Sequence, residues 1–167
     1  GPMIVERAAA SDLPAILALE DSFSVPWSEE SWRAEIDGED RLTRLTLVAR
    51  DAAGAVVGVS CFQLVAEVAD LHRIAVAPDQ RRLGLARVML VSGLQWAIGR
   101  GAYRMMLEVE HDNEAAINLY RGYGFRSVAK RPDYYGPGGH ALILERGLEG
   151  VDADSVGMWD MEAGEHD

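Results

Sequence analysis

Cysteine is almost missing from this chain: Cys61 is the only one in 167 residues. One thiol forms neither an internal disulfide nor a thiolate zinc cage, and such usage is that of an intracellular chain. It lies in an apolar segment and reads as a buried thiol. Lysine is just as scarce, with Lys130 alone among 16 basic residues that face 27 acids. A net charge of −11 and an isoelectric point near 4.7 argue against direct nucleic-acid binding through a basic surface. No apolar run approaches the ~20 residues a membrane helix needs, and no signal peptide is evident, so a cytoplasmic location is expected. His72, His111, His140 and His166 are scattered without ligand spacing, so no metal is expected. There is no internal repeat.

What is present is ordinary globular composition, 49% apolar, at a length that suits one domain. Gly1-Pro2 reads as a protease-cleavage scar and is set aside from the fold. The charge is uneven. From Leu148 to Asp167 there are seven acids and no Lys or Arg, leaving 20 acids against 16 bases before it. Residues 148–167 are therefore expected to form a loosely ordered acidic tail on a domain spanning 3–147. Its acids would either repel phosphate ligands or attract basic substrates.

Elements follow from pattern. Met3–Arg7 predicts an edge strand. Ser11 or Asp12 caps a helix reaching about Phe23, and Ser28 opens a second, with Glu29 and Glu30 in its first turn. Strands are predicted over Thr43–Arg50, Ala55–Gln63 and Ala66–Val76, then a long helix over Arg81–Ile98 stopped by Gly99 and Gly101. Tyr103–Glu110 alternates, with Tyr103, Met105, Leu107 and Val109 on one side and Arg104, Met106, Glu108 and Glu110 on the other. Asp112 or Asn113 caps a helix that ends at Gly122 and Gly124, and Phe125–Lys130 and Ala141–Arg146 are the last strands. The order predicts an α/β domain with a mixed, mostly antiparallel sheet of about seven strands and about four helices.

The segment Arg81-Arg82-Leu83-Gly84-Leu85-Ala86-Arg87 directly follows the strand ending in Ile74-Ala75-Val76. A strand that turns into a helix through small residues exposes unpaired backbone N–H groups, and arginines flank it; such a cradle suits a pyrophosphate. It lacks the Lys-Ser/Thr of a Walker loop and the three glycines of a dinucleotide fingerprint. By itself it is also a plain packing feature.

Position and company sharpen it. Arg-Arg-x-Gly-x-Ala after the fourth strand resembles the acetyl-CoA-binding motif of the GNAT acyltransferase superfamily. Over residues 3–146 the element order is similar as well. A second stretch, Leu107-Glu108-Val109 and then Asn113-Glu114-Ala115-Ala116-Ile117-Asn118-Leu119-Tyr120 and Gly124-Phe125, narrows the likeness. With Pro26-Trp27-Ser28 and Tyr134-Tyr135, it resembles the RimI-type ribosomal-protein-alanine N-acetyltransferases. That resemblance implies a GNAT fold, and acetyl-CoA as cosubstrate held by Ile74, Ala75, Val76, Arg81, Arg82, Leu83, Gly84, Leu85, Ala86, Arg87 and Asn113. It implies Glu108 as general base through water and Tyr120 as the acid that protonates the thiolate. Trp27, Tyr134 and Tyr135 would hold the acceptor, a basic protein or peptide N-terminus, with the enzyme a monomer or weak dimer.

The chemistry asks for such a pair. A thioester is attacked by a neutral amine, yet an α-amino group with pKa near ~8 is mostly protonated at pH 7. One group must take its proton and another must serve the leaving thiolate. Each residue also has a plainer reading. Glu108 could be a solvated strand residue, with Glu110 its competitor as base. Tyr120 could be a packing aromatic, Asn113 an N-cap, Trp27 a staple between two helices, and Tyr134 and Tyr135 loop packing. His140 stands where the family often has an acid. The implied activity is transfer of acetyl to a protein N-terminal amine, an N-terminal alanine of a small-subunit ribosomal protein. The rivals are a lysine or small-molecule amine acetyltransferase of the same fold, and a non-catalytic CoA-binding or protein-interaction module.

Overall fold

The computed structural model describes residues 3–19, 27–37, 41–81 and 84–156. The strands are β1 (Ile4–Arg7), β2 (Arg44–Arg50), β3 (Val56–Val65), β4 (Val68–Val76), β5 (Arg104–Glu110), β6 (Arg126–Arg131) and β7 (Ala141–Gly147). The helices are α1 (Leu13–Leu19), α2 (Glu29–Asp37), α3 (Leu85–Gly99) and α4 (Glu114–Gly122). The seven strands form an open, mostly antiparallel sheet in the order β1-β2-β3-β4-β5-β7-β6. This is the GNAT architecture that the motif order implied.

The chain divides into two compact units. The first comprises the residues up to Gln63 together with His72–Leu90. In it β1 pairs antiparallel with β2, and β2 with β3. Ile16, Trp32, Val48, Val59 and Cys61 are each wholly buried in one core cluster. The Cys61 thiol lies 3.6 Å from the Thr46 hydroxyl. Ser28 does start α2, its Oγ accepting the Ser31 N–H at 3.1 Å.

The start of α1 differs from expectation. A 3-10 turn over Ala10–Asp12 precedes it, and Asp12 points inward. The Asp12 carboxylate accepts the Ala9 N–H at 2.8 Å and two guanidinium nitrogens of Arg50 at 2.9 Å each. The ion pair takes the side chain that a cap would have used. The hydrogen bond from Arg50 holds the Asp12 carboxyl below the usual carboxylate range. The expected end of α1 near Phe23 lies outside the described residues.

The second unit comprises Leu64–Leu71 and the chain from Val91 on. β5 pairs antiparallel with β7, and β7 with β6. Met105, Leu107 and Val109 are buried while Glu108 is exposed, as the alternation predicts; Tyr103, expected on the buried side, is exposed because β5 begins only at Arg104. β4 enters this unit through its first residues, and its parallel ladder with β5 runs from Val68↔Arg104 to Leu71↔Leu107. β3 and β4 are joined by only Ala66 and Glu67, which have φ of 49° and 68°. Two positive φ values in a two-residue connection define a type I′ turn, here without the usual Asn or Gly. The Glu67 carbonyl accepts the Tyr103 N–H at 3.0 Å.

Packing continues past Gly147. Leu148 and Val156 are buried, the Leu148 N–H donates to the Tyr103 carbonyl, and the Gln95 amide donates to the Ala153 carbonyl. The expected boundary at 147 therefore falls inside packed chain, because two apolar side chains beyond it find a core. Residues 157–167 lie outside the described residues, as do residues 1–2.

Candidate active site

In the first unit the strand-to-helix turn is built differently from the predicted long helix. Pro78–Gln80 forms a 3-10 turn, Arg81 is extended, and α3 begins only at Leu85. Proline and the extended residue after it delay the helix. Gly84 has φ of +76°, a left-handed geometry that favours glycine, and its carbonyl accepts the Val88 N–H. A Cβ built on Gly84 would meet no described atom within 4 Å, so its face is open. That openness at the start of a fifteen-residue helix fits a bound phosphate. Arg81 Nε donates to the Val76 carbonyl at 3.2 Å, which ties the turn to the end of β4. Leu85 is buried, while Ala86 and Arg87 are half-buried. Arg82 and Leu83 lie outside the described residues. Ile74, Ala75 and Val76 close β4, beyond the last of its pairs with β5.

Trp27 is half-buried in the same unit. Its ring lies 4.8 Å from that of Trp32 and 6.3 Å from that of His72, and the Arg73 guanidinium sits 4.5 Å above it. The staple reading of Trp27 thus describes its packing on α2, and Arg73 is a cation–π partner not singled out from the sequence.

The second unit carries the acid–base candidates. Tyr120 is 4% exposed on α4, edge-on to Phe125 with ring centroids 5.8 Å apart. Burial pushes its phenol pKa well above the ordinary tyrosine value, and the field of Tyr135 adds to that. Tyr120 is therefore neutral and protonated at all working pH values. Glu108 is exposed on β5, and its Oε1 accepts from Arg131 Nη1 at 3.2 Å. Tyr134 hydrogen-bonds Glu108 as well, and this contact raises the Tyr134 phenol pKa. The Arg131 guanidinium stands 5.5 Å from the Tyr134 ring, and Tyr134 packs edge-on to Tyr135 at 5.0 Å. Glu108, Arg131, Tyr134 and Tyr135 form one cluster. Glu110 is on the same sheet face, across from Ala141.

Arg131 was not foreseen. The β6–β7 register shifts between Ser127 and Ala129, which puts Arg131 opposite Ala141 and in line with Glu110, and from there its guanidinium reaches along the sheet to Glu108. Without the extra residue, Lys130 would take that place. Asn113 caps α4, its Oδ1 accepting the Ala116 N–H at 3.2 Å. Among the described residues no group of three or more His, Cys, Asp or Glu side chains is arranged to hold a metal ion.

Residues 14–125 match the acetyltransferase (GNAT) family. The chain belongs to that family and is an acetyl-CoA-dependent N-acetyltransferase. It is 38% identical over 133 residues to the [ribosomal protein bS18]-alanine N-acetyltransferase of Escherichia coli K12, covering 78% of this chain and 86% of that one. It is also 31% identical over 116 residues to the mycothiol acetyltransferase of Clavibacter michiganensis, covering 70% of this chain but 34% of that protein. Among solved structures, the E. coli ribosomal-protein-S18-alanine N-acetyltransferase superposes with a TM-score of 0.79 at 30% identity, covering 88% of this chain and 94% of its own. Arabidopsis thaliana NAA60, solved with a bisubstrate analogue, shares the fold with a TM-score of 0.80 at 16% identity, covering 87% and 98%.

Proposed function

We propose that this enzyme acetylates the N-terminal α-amino group of a protein, with an alanine-starting ribosomal protein as acceptor, by direct attack within a ternary complex. The observation that carries the reading is the 38% identity to an alanine N-acetyltransferase of a chain that holds an exposed carboxylate, Glu108, and a buried phenol kept protonated, Tyr120. Acetyl-CoA is the cosubstrate. Its pyrophosphate is assigned to the segment from Arg81 to Arg87. Its pantetheine amides are assigned to the backbone of Ile74, Ala75 and Val76, and to Asn113.

The roles follow from proton balance. The neutral amine nitrogen attacks the thioester carbonyl carbon, and its excess proton passes to Glu108 through water. The tetrahedral intermediate collapses as the C–S bond breaks. Tyr120 delivers its hydroxyl proton to the departing sulfur and is reprotonated at once because its pKa is high. Net, the amine loses one proton and the thiol gains one. Tyr134, Tyr135 and Trp27 are assigned to acceptor binding. No metal enters this scheme, and the reaction is assigned to the cytoplasm, where its acceptor is made.

The match to a mycothiol acetyltransferase favours a second reading, a small-molecule amine as acceptor. One assay separates the two. Acetyl-CoA turnover is measured with an Ala-starting peptide, with its N-blocked copy bearing an internal lysine, and with a free amino sugar. Turnover confined to the first supports N-terminal acetylation; equal rates on the blocked peptide or preference for the sugar overturns it.

A further inference from the structure

The loop between β6 and β7 is closed by a histidine. The Asp133 backbone N–H donates to His140 Nδ1 at 3.0 Å. Within the loop, the Gly138 N–H donates to Asp133 Oδ1 at 2.8 Å and the Tyr135 N–H donates to the Gly139 carbonyl at 2.9 Å. Asp133 has a φ of +57°, so its backbone is held in a left-handed geometry that an open loop would relax. From the end of β5, the His111 N–H donates to the His140 carbonyl at 3.0 Å, and the two imidazole rings lie 4.8 Å apart.

These contacts set the roles of the ring nitrogens. In the contact with the Asp133 amide, Nδ1 of His140 is the acceptor, a role open only to a ring nitrogen without a proton. His111 Nδ1 lies 3.2 Å from the His140 carbonyl oxygen, where only a protonated nitrogen is attractive. Between the two ends of this closure stand Tyr134, bonded to Glu108, and Tyr135, whose field reaches Tyr120.

We propose that His140 is a positioning residue: by accepting the Asp133 amide proton it holds Tyr134 and Tyr135 in place for the acceptor, and its protonation releases them. The proposal rests on the assignment of these tyrosines to acceptor binding. A proton on Nδ1 sets donor against donor at the Asp133 amide. The Asp133 carboxylate, 3.8 Å from Nδ1, becomes the better partner and gives up Gly138 to reach it. Both closures of the loop are exchanged together. The charged and titratable neighbours are Asp133 on the loop, His111 after β5, and Glu110 and Arg131 on either side of Ala141.

The test uses the full chain and an Ala-starting peptide, with kcat and KM measured from about pH 5.5 to 8 for the parent, His140→Asn and His140→Ala. Asparagine places a carbonyl oxygen near the position of Nδ1 and does not titrate. The expected result is a parent-like KM for His140→Asn at the alkaline end, and a rise in the parent's acceptor KM on acidification that exceeds that of His140→Asn by roughly fivefold. His140→Ala raises acceptor KM at every pH with kcat and acetyl-CoA KM nearly unchanged. Protonation of the substrate amine is common to all three and cancels in the ratios. Parallel KM profiles for the parent and His140→Asn, or an unchanged KM in His140→Ala, overturn the proposal. Protection of the Asp133 amide from hydrogen exchange is read independently of turnover. Protection lost on acidification in the parent but kept in His140→Asn supports the latch, and pH-independent protection in the parent overturns it. If no peptide is acetylated, the functional assignment fails while the amide measurement still decides the latch.

Discussion

Tyr120 is a phenol kept from ionising by its own burial. Its hydroxyl is the only part that Tyr120→Phe removes, and the ring contact with Phe125 survives. That substitution is expected to lower kcat about 100-fold, the usual worth of a positioned general acid, while the acetyl-CoA dissociation constant measured by calorimetry stays the same. A kcat within twofold of the parent would remove Tyr120 as the acid. The outward side of Glu108 and the helix that carries Tyr120 were legible in the sequence because strand alternation and helix spacing depend on nearby residues alone, while their proposed roles came only from the resemblance. Arg131 was not legible, since its partner is chosen by a register set on another strand. The Asp12–Arg50 pair was hidden for the same reason, with 38 positions between the two residues.

Elements show where local pattern stops deciding. Strand boundaries came within a few residues throughout, on Val, Ala and Ile enrichment and bounding turn residues, with alternation the guide only on β5. The start of α3 did not: apolar spacing alone cannot weigh Pro78 and a left-handed Gly84 against a helix. On β6 one inserted residue changes which cation faces Glu108. The end of α4 offers a direct measurement. Gly124 has φ of +85°, and a Cβ there would fall 2.1 Å from Arg146 Nη1, which donates to the Tyr123 carbonyl at 2.6 Å. Gly124→Ala is expected to cost about 2–3 kcal/mol, combining left-handed strain with a clash. In an Arg146→Ala background the same change should cost only the strain, about 1 kcal/mol. Urea denaturation of the four chains closes this cycle, and equal costs in both backgrounds would assign the whole effect to φ.

At the scale of the whole chain, the part-buried Asp12–Arg50 pair ties stability to pH. The Asp12 pKa is lowered in the folded state, chiefly by the Arg50 hydrogen bond. Its contribution is therefore complete above the ordinary aspartate pKa and is lost as pH falls through the folded value. Asp12→Asn should destabilise by about 3 kcal/mol near neutrality, and the difference from the parent should shrink below about pH 4. Urea midpoints across that range give the answer, and a constant difference would disprove the linkage. The chain beyond Gly147 belongs to the same accounting. Ending it there deletes Leu148 and Val156, both buried, and should cost about 3–5 kcal/mol. A chain ending at Val156 keeps both, and its thermal midpoint should exceed that of the shorter chain. Composition marked the region as an acidic tail because charge counts carry no information on two apolar residues finding a core.

The turn between β3 and β4 has a kinetic meaning. Ala66 and Glu67 each sit in a conformation that costs an L-residue about 1 kcal/mol or more. Such a turn does not seed its hairpin. The strands must be brought together by their side chains first, and the bend is forced afterwards, with the Tyr103-to-Glu67 hydrogen bond offsetting the strain only once β5 is near. Ala66→Asn with Glu67→Gly would let the hairpin close early, so the gain in stability should appear in the refolding limb of a chevron and leave the unfolding limb almost where it was. An unchanged refolding limb would show that the native turn does not slow folding.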